Sequence, residues 1–148
     1  MSGICDGRVI IVTGAGGGLG REYALAFGAA GAKVVVNDIN AQSAEKTVAD
    51  IEDTGGEAIA NTQDITNYEQ SASIVSEAIA NFGDLHGVVN NAGICRDRMF
   101  ASMTEEEWDQ VIAVHLKGHF CISSHAVHYW RDQFKQGHKV DARIINTS

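Results

Sequence analysis

The sequence of 148 residues has the length of one domain and is long enough to bury a sizeable core. With 45% hydrophobic and 20% charged residues it has an ordinary globular composition, and its net charge of -8 argues against nucleic acid or an anionic membrane as the main partner. No apolar run approaches the ~20 residues of a membrane span, and residues 1–7 do not resemble a secretory signal.

The three cysteines, Cys5, Cys95 and Cys121, are widely spaced and odd in number. This usage predicts reduced thiols in an intracellular, cytoplasmic protein and not a disulfide framework. A peroxisomal location stays open if the protein is eukaryotic.

Short apolar runs alternate with longer amphipathic runs, which is the pattern of repeated βαβ units. Strands are predicted over residues 8–13, 33–38, 57–61, 85–90 and 143–147, and helices over 19–30, 41–53, 66–82 and 104–136. Capping boxes at Thr66-x-x-Glu69 and Thr104-x-x-Glu107 are expected to begin the third and fourth helices. The prediction is one α/β domain over residues 1–148, a Rossmann-type doubly wound parallel sheet with its first five strands present and its later strands missing.

The glycine-rich segment between the first strand and its helix has the spacing G-x-x-x-G-x-G, at Gly14, Gly18 and Gly20. The commoner spacing G-x-G-x-x-G is not present, because its last position is Leu19. Glycines permit a sharp turn and a close backbone approach to phosphate, and the following helix offers free N–H groups to a pyrophosphate. Gly14, Gly18, Leu19 and Gly20 are therefore candidate cofactor-binding residues. The alternative is a tight strand-to-helix turn without a ligand.

Asp38 ends the second strand, about twenty residues beyond the glycine loop, where an acid accepts hydrogen bonds from the adenosine ribose. Its carboxylate would repel a 2′-phosphate, and neither Ile39, Asn40 nor Gly17 supplies a cation to bind one. The prediction is NAD in preference to NADP, with Asp38 and Ile39 at the adenosine. On position alone, the alternative is that Asp38 is a surface acid at a strand end.

Three motifs occur in series: Thr13-Gly14-x-x-x-Gly18-x-Gly20, Asp64-Ile65-Thr66 and Asn90-Asn91-Ala92-Gly93. Together they resemble the short-chain dehydrogenase/reductase family along the whole chain, although the last motif alone would be read as an ordinary turn. The resemblance implies an NAD-dependent oxidoreductase that transfers hydride between the nicotinamide and a secondary alcohol or ketone.

The same resemblance assigns roles at the cofactor. It implies that Asp64 bonds the adenine amine and that Ile65 packs on the ring. Asn90 is expected to stabilise the sheet. The remaining residues that the family places at the cofactor are Asn91, Ala92, Gly93 and Val114.

A closer likeness is to the (3R)-hydroxyacyl-CoA dehydrogenase unit of peroxisomal multifunctional enzymes and its bacterial relatives. It rests on the runs Gly93-Ile94-Cys95-Arg96-Asp97-Arg98-Met99-Phe100 and Val114-His115-Leu116-Lys117-Gly118, with Trp108 between them. This likeness implies a 3-hydroxyacyl thioester, such as an acyl-CoA, as a substrate class. The charged residues 96–98 are either a solvated loop or part of the substrate lip.

His115 occupies a position where most members of the family have an Asn that helps to hold a water of the proton relay. It is a candidate catalytic residue, and the alternative is a hydrogen-bonded histidine that fills space. A helical stripe is predicted to pack on the sheet and to carry His115 on its inner side. Its members are Trp108, Val111, Ile112, His115, His119, Ile122, Ala126 and Trp130.

His115 and His119 do not form a predicted metal site, since neither a zinc-protease Glu nor a third ligand accompanies them. The outer surface of the same helix is a predicted dimer face. Its residues are Leu116, Phe120, Ser123 and Val127. The family resemblance implies a homodimer or homotetramer.

The catalytic Tyr-x-x-x-Lys signature of the family is not found in residues 1–148: Tyr23, Tyr68 and Tyr129 are not followed by Lys at the fourth position. Ser148 matches the first residue of the Ser pair whose second residue is catalytic in the family, and an alignment shifted by one residue would make Ser148 the catalytic residue itself. Three interpretations follow: the N-terminal part of a longer dehydrogenase, a complete NAD-binding module without turnover, or a structural half whose fifth strand pairs with another polypeptide. The unprotected apolar edge of the fifth strand favours the first.

Overall fold

The computed structural model describes residues 3–148. Within these residues five strands form one sheet: β1 (Val9–Thr13), β2 (Lys33–Asn37), β3 (Glu57–Asn61), β4 (Gly87–Asn90) and β5 (Arg143–Asn146). The helices are α1 (Gly18–Ala29), α2 (Ala41–Asp53), α3 (Tyr68–Phe82), α4 (Glu105–Ile112) and α5 (Gly118–Lys135). A 3-10 turn covers Phe100–Ser102, and a π-helical segment, Ala113–Lys117, joins α4 to α5.

All neighbouring strands are parallel, in the order β3-β2-β1-β4-β5, which confirms the predicted doubly wound sheet. β1 is buried along its whole length because helices cover both faces of the sheet, as its continuous apolar sequence requires. α3 and α5 cover one face, where Ile74 and Ile122 pack with Ile11. α1 and α2 cover the other face through Ala24 and Ile51.

The strand order reverses at β1, because the chain first builds outward through β2 and β3 and then returns to place β4 on the other side of β1. This arrangement creates a topological switch point between β1 and β4. In open α/β sheets, ligands bind beyond the carboxyl ends of the strands at such a point.

The two predicted capping boxes have different outcomes. The box at Thr104 is confirmed: Thr104 Oγ1 accepts from the Glu107 N–H at 3.2 Å, and the Glu107 carboxylate accepts from the Thr104 N–H at 3.1 Å. The box at Thr66 is wrong. α3 is capped by Asn67, whose Oδ1 accepts from the Gln70 N–H at 3.0 Å, while the Thr66 hydroxyl donates to Asp64 at 2.8 Å.

The predicted long helix is interrupted by the π-helical segment, and its single inner stripe is wrong over the first half. Trp108 is 55% exposed and Ile112 is 37% exposed, whereas Ile122 and Ala126 are fully buried. A π-helical turn contains an additional residue, so the faces of α4 and α5 are rotated relative to each other.

No helix within residues 3–148 combines the length and hydropathy needed to cross a membrane. Cys5, Cys95 and Cys121 are free thiols, and burial raises the pKa of Cys121.

Candidate functional site

A cavity of about 480 Å³ lies beyond the carboxyl ends of β1 to β4, at the switch point. All but two of the predicted cofactor-binding residues line it: Gly14, Gly18, Asp38, Ile39, Asp64, Ile65, Asn91, Ala92, Gly93 and Val114. The structure therefore brings together residues from five separate segments of the sequence. Leu19 and Gly20 do not line the cavity; Leu19 is 67% exposed and Gly20 is buried in α1.

The glycine loop closes one side of the cavity. Gly14 has a φ of 63°, and a Cβ there would lie 2.8 Å from the Cα of Ala92, so the loop packs directly on the segment after β4. Gly20 has a supporting role, because a Cβ there would lie 2.2 Å from the carbonyl oxygen of Gly14. A Cβ on Gly17 or Gly18, in contrast, would meet no atom within 4 Å. The loop is therefore open at the N-terminus of α1, where unpaired N–H groups favour an anion.

Asp38 lies immediately after β2, with a half-buried carboxylate. Its Oδ2 accepts from the Gly16 N–H at 3.0 Å, and its Oδ1 accepts from the Asn40 N–H at 2.9 Å. These bonds fix the carboxylate at the cavity wall, and each oxygen keeps further acceptor capacity. Among the described residues that line the cavity, none is a Lys or an Arg.

The loop between β3 and α3 forms the opposite wall and is held by side chains of α3. Asp64 N–H donates to Gln70 Oε1 at 2.8 Å, and the Ile65 carbonyl accepts from the Ser71 hydroxyl at 3.0 Å. Asp64 Oδ1 accepts from both the N–H and the hydroxyl of Thr66, each at 2.8 Å. Asp64 Oδ2 is left as an acceptor on a preorganised loop.

The segment after β4 is held by Thr13, at the end of β1. The buried Thr13 hydroxyl accepts from the N–H groups of Asn91 and Ala92, both at 3.0 Å. Asn91 Nδ2 donates back to the Thr13 carbonyl at 3.1 Å. Asn90 has the predicted structural role, since its buried Nδ2 donates to Ser123 Oγ and to Asn146 Oδ1 at 3.1 and 2.9 Å.

His115 lies in the π-helical segment, and its predicted inward position against the sheet is wrong. The residue is exposed, and its Nε2 lies 3.0 Å from the Ile94 nitrogen and 2.8 Å from the Ile94 oxygen. His115 therefore contacts the backbone of a cavity-lining residue. Burial, with a smaller contribution from His115, lowers the pKa of His119. The catalytic role of His115 remains a prediction.

Six contributors to this region were not predicted as site residues: Thr13 lies beneath the cavity, and five residues line it, namely Gly17, Asn37, Gln63, Thr66 and Ile94. Each follows or ends a predicted strand. Because ligands bind beyond the carboxyl ends of parallel strands, this position in the sequence could have identified them. Within residues 3–148 no group of three or more His, Cys, Asp and Glu side chains is arranged to hold a metal.

The chain is similar to known proteins over nearly all of its length. The family model described as short chain dehydrogenase matches residues 8–148. A crystal structure of a short chain dehydrogenase from Mycobacterium avium has a TM-score of 0.96 and 52% identity, and covers 99% of this chain and 55% of that chain.

Two curated relatives carry more specific names. Hydroxyacyl-CoA dehydrogenase ChsB1 of Mycobacterium tuberculosis is 46% identical over 150 residues, which are 97% of this chain and 47% of the relative. Peroxisomal multifunctional enzyme type 2 of Mus musculus is 44% identical over 152 residues, which are 97% of this chain and 20% of the relative. The chain thus spans about half the length of the first of these relatives and less of the second.

Proposed function

The chain belongs to the short-chain dehydrogenase family, and we propose that the cavity at the carboxyl edge of its sheet binds NAD for hydride transfer with a secondary alcohol or ketone. The observation that carries this proposal is the Asp38 carboxylate, fixed by two backbone N–H groups beside an open glycine loop. When bound, NAD supplies the nicotinamide carbon that exchanges hydride with the substrate.

The residues of the cavity fit a dinucleotide. The bare backbone of Gly17 and Gly18 has the free space that a pyrophosphate needs, and Asp38 offers two carboxylate oxygens to a ribose diol. Asp64 offers an acceptor on the loop after β3, where the family places the adenine. Gly93 and Val114 line the remaining wall.

NAD is favoured over NADP because a 2′-phosphate would meet the Asp38 carboxylate, with no cation among the described cavity-lining residues to offset the repulsion. We expect NADH to bind about tenfold tighter than NADPH in a fluorescence titration. Asp38→Asn removes the negative charge at nearly constant shape and should reduce the ratio of NADH affinity to NADPH affinity. The control Asp53→Asn, in α2 and outside the cavity, should leave it unchanged. Equal affinity of the unmodified protein for both nucleotides would contradict the proposal.

The proposed substrate class is a 3-hydroxyacyl thioester. It is supported by the name of the hydroxyacyl-CoA dehydrogenase relative, with 46% identity, and by the likeness of residues 93–100 and 114–118 to that group. The test compares a panel of 3-hydroxyacyl-CoA esters with simple secondary alcohols by NADH formation. Preferential oxidation of the simple alcohols would refute the thioester assignment.

A second candidate is nucleotide binding without turnover, and the environment of Tyr129 favours it. Tyr129 donates its hydroxyl to Asp84 at 2.8 Å, and burial together with this bond raises its pKa to about 12, so it is a poor general base. NADH binding without oxidation of any substrate in the panel would support this candidate.

The proposed partner is a second copy of the chain, bound through the outer face of the π segment and α5. Leu116 and Phe120 are 66% and 62% exposed, and Val127 is also exposed. Ser123 is not part of this face, because its hydroxyl lies against Asn90. Phe120→Asp should shift the protein towards the monomer in light scattering, and an unchanged mass would refute this interface.

A further inference from the structure

The side chain of Asn37 has one hydrogen-bonding side fixed by the protein. Asn37 is 2% exposed, ends β2 and lines the cavity. Its Nδ2 donates to Asn61 Oδ1 at 2.9 Å and to the Gln63 carbonyl oxygen at 3.0 Å. Because a backbone carbonyl can only accept, the NH₂ group of Asn37 must lie on this side. Its carbonyl oxygen, Oδ1, therefore lies on the other side.

The next two groups require the same orientation. Asn61 Oδ1 also accepts from the Gln63 N–H at 3.1 Å, and a backbone N–H can only donate. Asn61 Nδ2 donates to Glu77 Oε2 at 2.7 Å, and a carboxylate can only accept. Each amide in this series therefore donates to the next residue, Asn37 to Asn61 and Asn61 to Glu77. Of the two amide oxygens of the series, Asn37 Oδ1 is the one that faces away from it.

Asn37 Oδ1 accepts no hydrogen bond from any residue in the described range 3–148. In that same range, no side-chain nitrogen or oxygen is sealed from solvent without a partner. Oδ1 is therefore accessible, and since Asn37 lines the cavity and is otherwise enclosed, its access is through the cavity.

We propose that Asn37 is a specificity residue of this site, whose Oδ1 accepts a hydrogen bond from an N–H or O–H group on the adenosine half of a bound nucleotide. This proposal rests on the proposed function. The polar atoms at this end of the cavity are mainly acceptors: Asn37 Oδ1, the Asp38 carboxylate and Asp64 Oδ2. They match a group that is rich in donors, as adenosine is with its amino group and ribose hydroxyls, and they do not match a phosphate.

The test measures ADP binding by isothermal titration calorimetry in two matched variants. Asn37→Leu removes the oxygen from the cavity, keeps the number and branching of the side-chain heavy atoms, and should weaken ADP binding about tenfold. Asn61→Leu breaks the same series one residue farther away, does not change a cavity-lining residue and should weaken binding about threefold at most. If Asn37→Leu does not fold by circular dichroism, Asn37→Ala takes its place.

Ligand analogues show whether the effect is direct. IDP lacks the amino group of adenine, and 2′-deoxy-ADP and 3′-deoxy-ADP each lack one ribose hydroxyl. For the analogue that lacks the group bound by Asn37 Oδ1, Asn37→Leu should reduce the affinity less than it does for ADP. Equal losses in the two variants, no loss in Asn37→Leu, or an undiminished loss with every analogue would overturn the assignment of Asn37. Failure of the unmodified protein to bind either NADH or ADP would instead overturn the proposed function, and this inference with it.

Discussion

At the scale of single residues, the cavity depends on polar atoms whose partners are distant in sequence. The motif residues Asp38, Asp64 and Asn91 were predictable because their types and spacing are visible along the chain. Asn37 was not, because its role depends on Asn61 and Gln63, which meet it only after β2 and β3 pair. Side chains in known motifs are thus predictable from the sequence, whereas the side chains that hold or complete them depend on contacts made only in the folded sheet.

Thr13 illustrates such a holding residue and gives the first prediction. Thr13→Val is nearly isosteric and leaves the Ala92 N–H without its acceptor, so the free energy of unfolding should fall by about 1–3 kcal/mol. Thr13→Ser keeps the hydroxyl and loses one buried methyl group, which costs about 1 kcal/mol. Urea denaturation of the three proteins provides the measurement. A valine variant as stable as the unmodified protein would show that the hydroxyl does not hold the segment after β4.

At the scale of elements, local patterns predicted helix and strand positions better than helix starts and faces. The Thr104 capping box was predictable because all its partners lie within one turn. The Thr66 box was wrong because Asp64 binds the Thr66 hydroxyl and Asn67 caps α3 instead. The π segment was not predicted, since its extra residue leaves the apolar spacing on either side helical.

Two substitutions in the glycine-rich segment should affect the free energy of unfolding and the NADH affinity separately. Gly20→Ala places a Cβ 2.2 Å from the Gly14 carbonyl oxygen, a backbone atom, so it should cost about 1–3 kcal/mol of stability. Gly17→Ala meets no atom within 4 Å and has an ordinary extended backbone, so stability should change by about 0.5 kcal/mol or less. Because Gly17 lines the cavity, its variant should nevertheless weaken NADH binding.

Thermal unfolding and NADH titration of both variants test this separation. Retained stability in Gly20→Ala would contradict the packing of α1 on Gly14. Unchanged NADH affinity in Gly17→Ala would contradict a pyrophosphate at the open face of the loop.

At the scale of the whole molecule, the alternation of elements predicted the parallel sheet, but side-chain contacts between residues distant in sequence could not be predicted. Arg8 precedes β1 and Asp141 precedes β5, yet Arg8 donates to the Asp141 carboxylate at 2.6 Å and to its carbonyl oxygen at 3.0 Å. Arg143 donates to the same carboxylate at 2.8 Å. The start of β1 is thereby linked to the start of β5.

This link predicts a pH dependence of stability. The hydrogen bond from Arg8 to the Asp141 carboxylate, followed by the one from Arg143, lowers the pKa of Asp141 below the value of about 3.9 for an unfolded Asp. A lowered carboxyl pKa contributes stability that is present above about pH 4 and is lost as the pH falls through the folded-state value. Asp141→Asn should therefore be less stable than the unmodified protein at pH 7, and the difference in urea midpoint should shrink below about pH 4.

Because the three charges are partly exposed, added salt should reduce the difference in urea midpoint at pH 7. Asp97→Asn, at an acid with no ion pair within residues 3–148, is the matched control. A difference that stays constant from pH 7 to pH 3 would show that Asp141 acts through its shape and not through its charge.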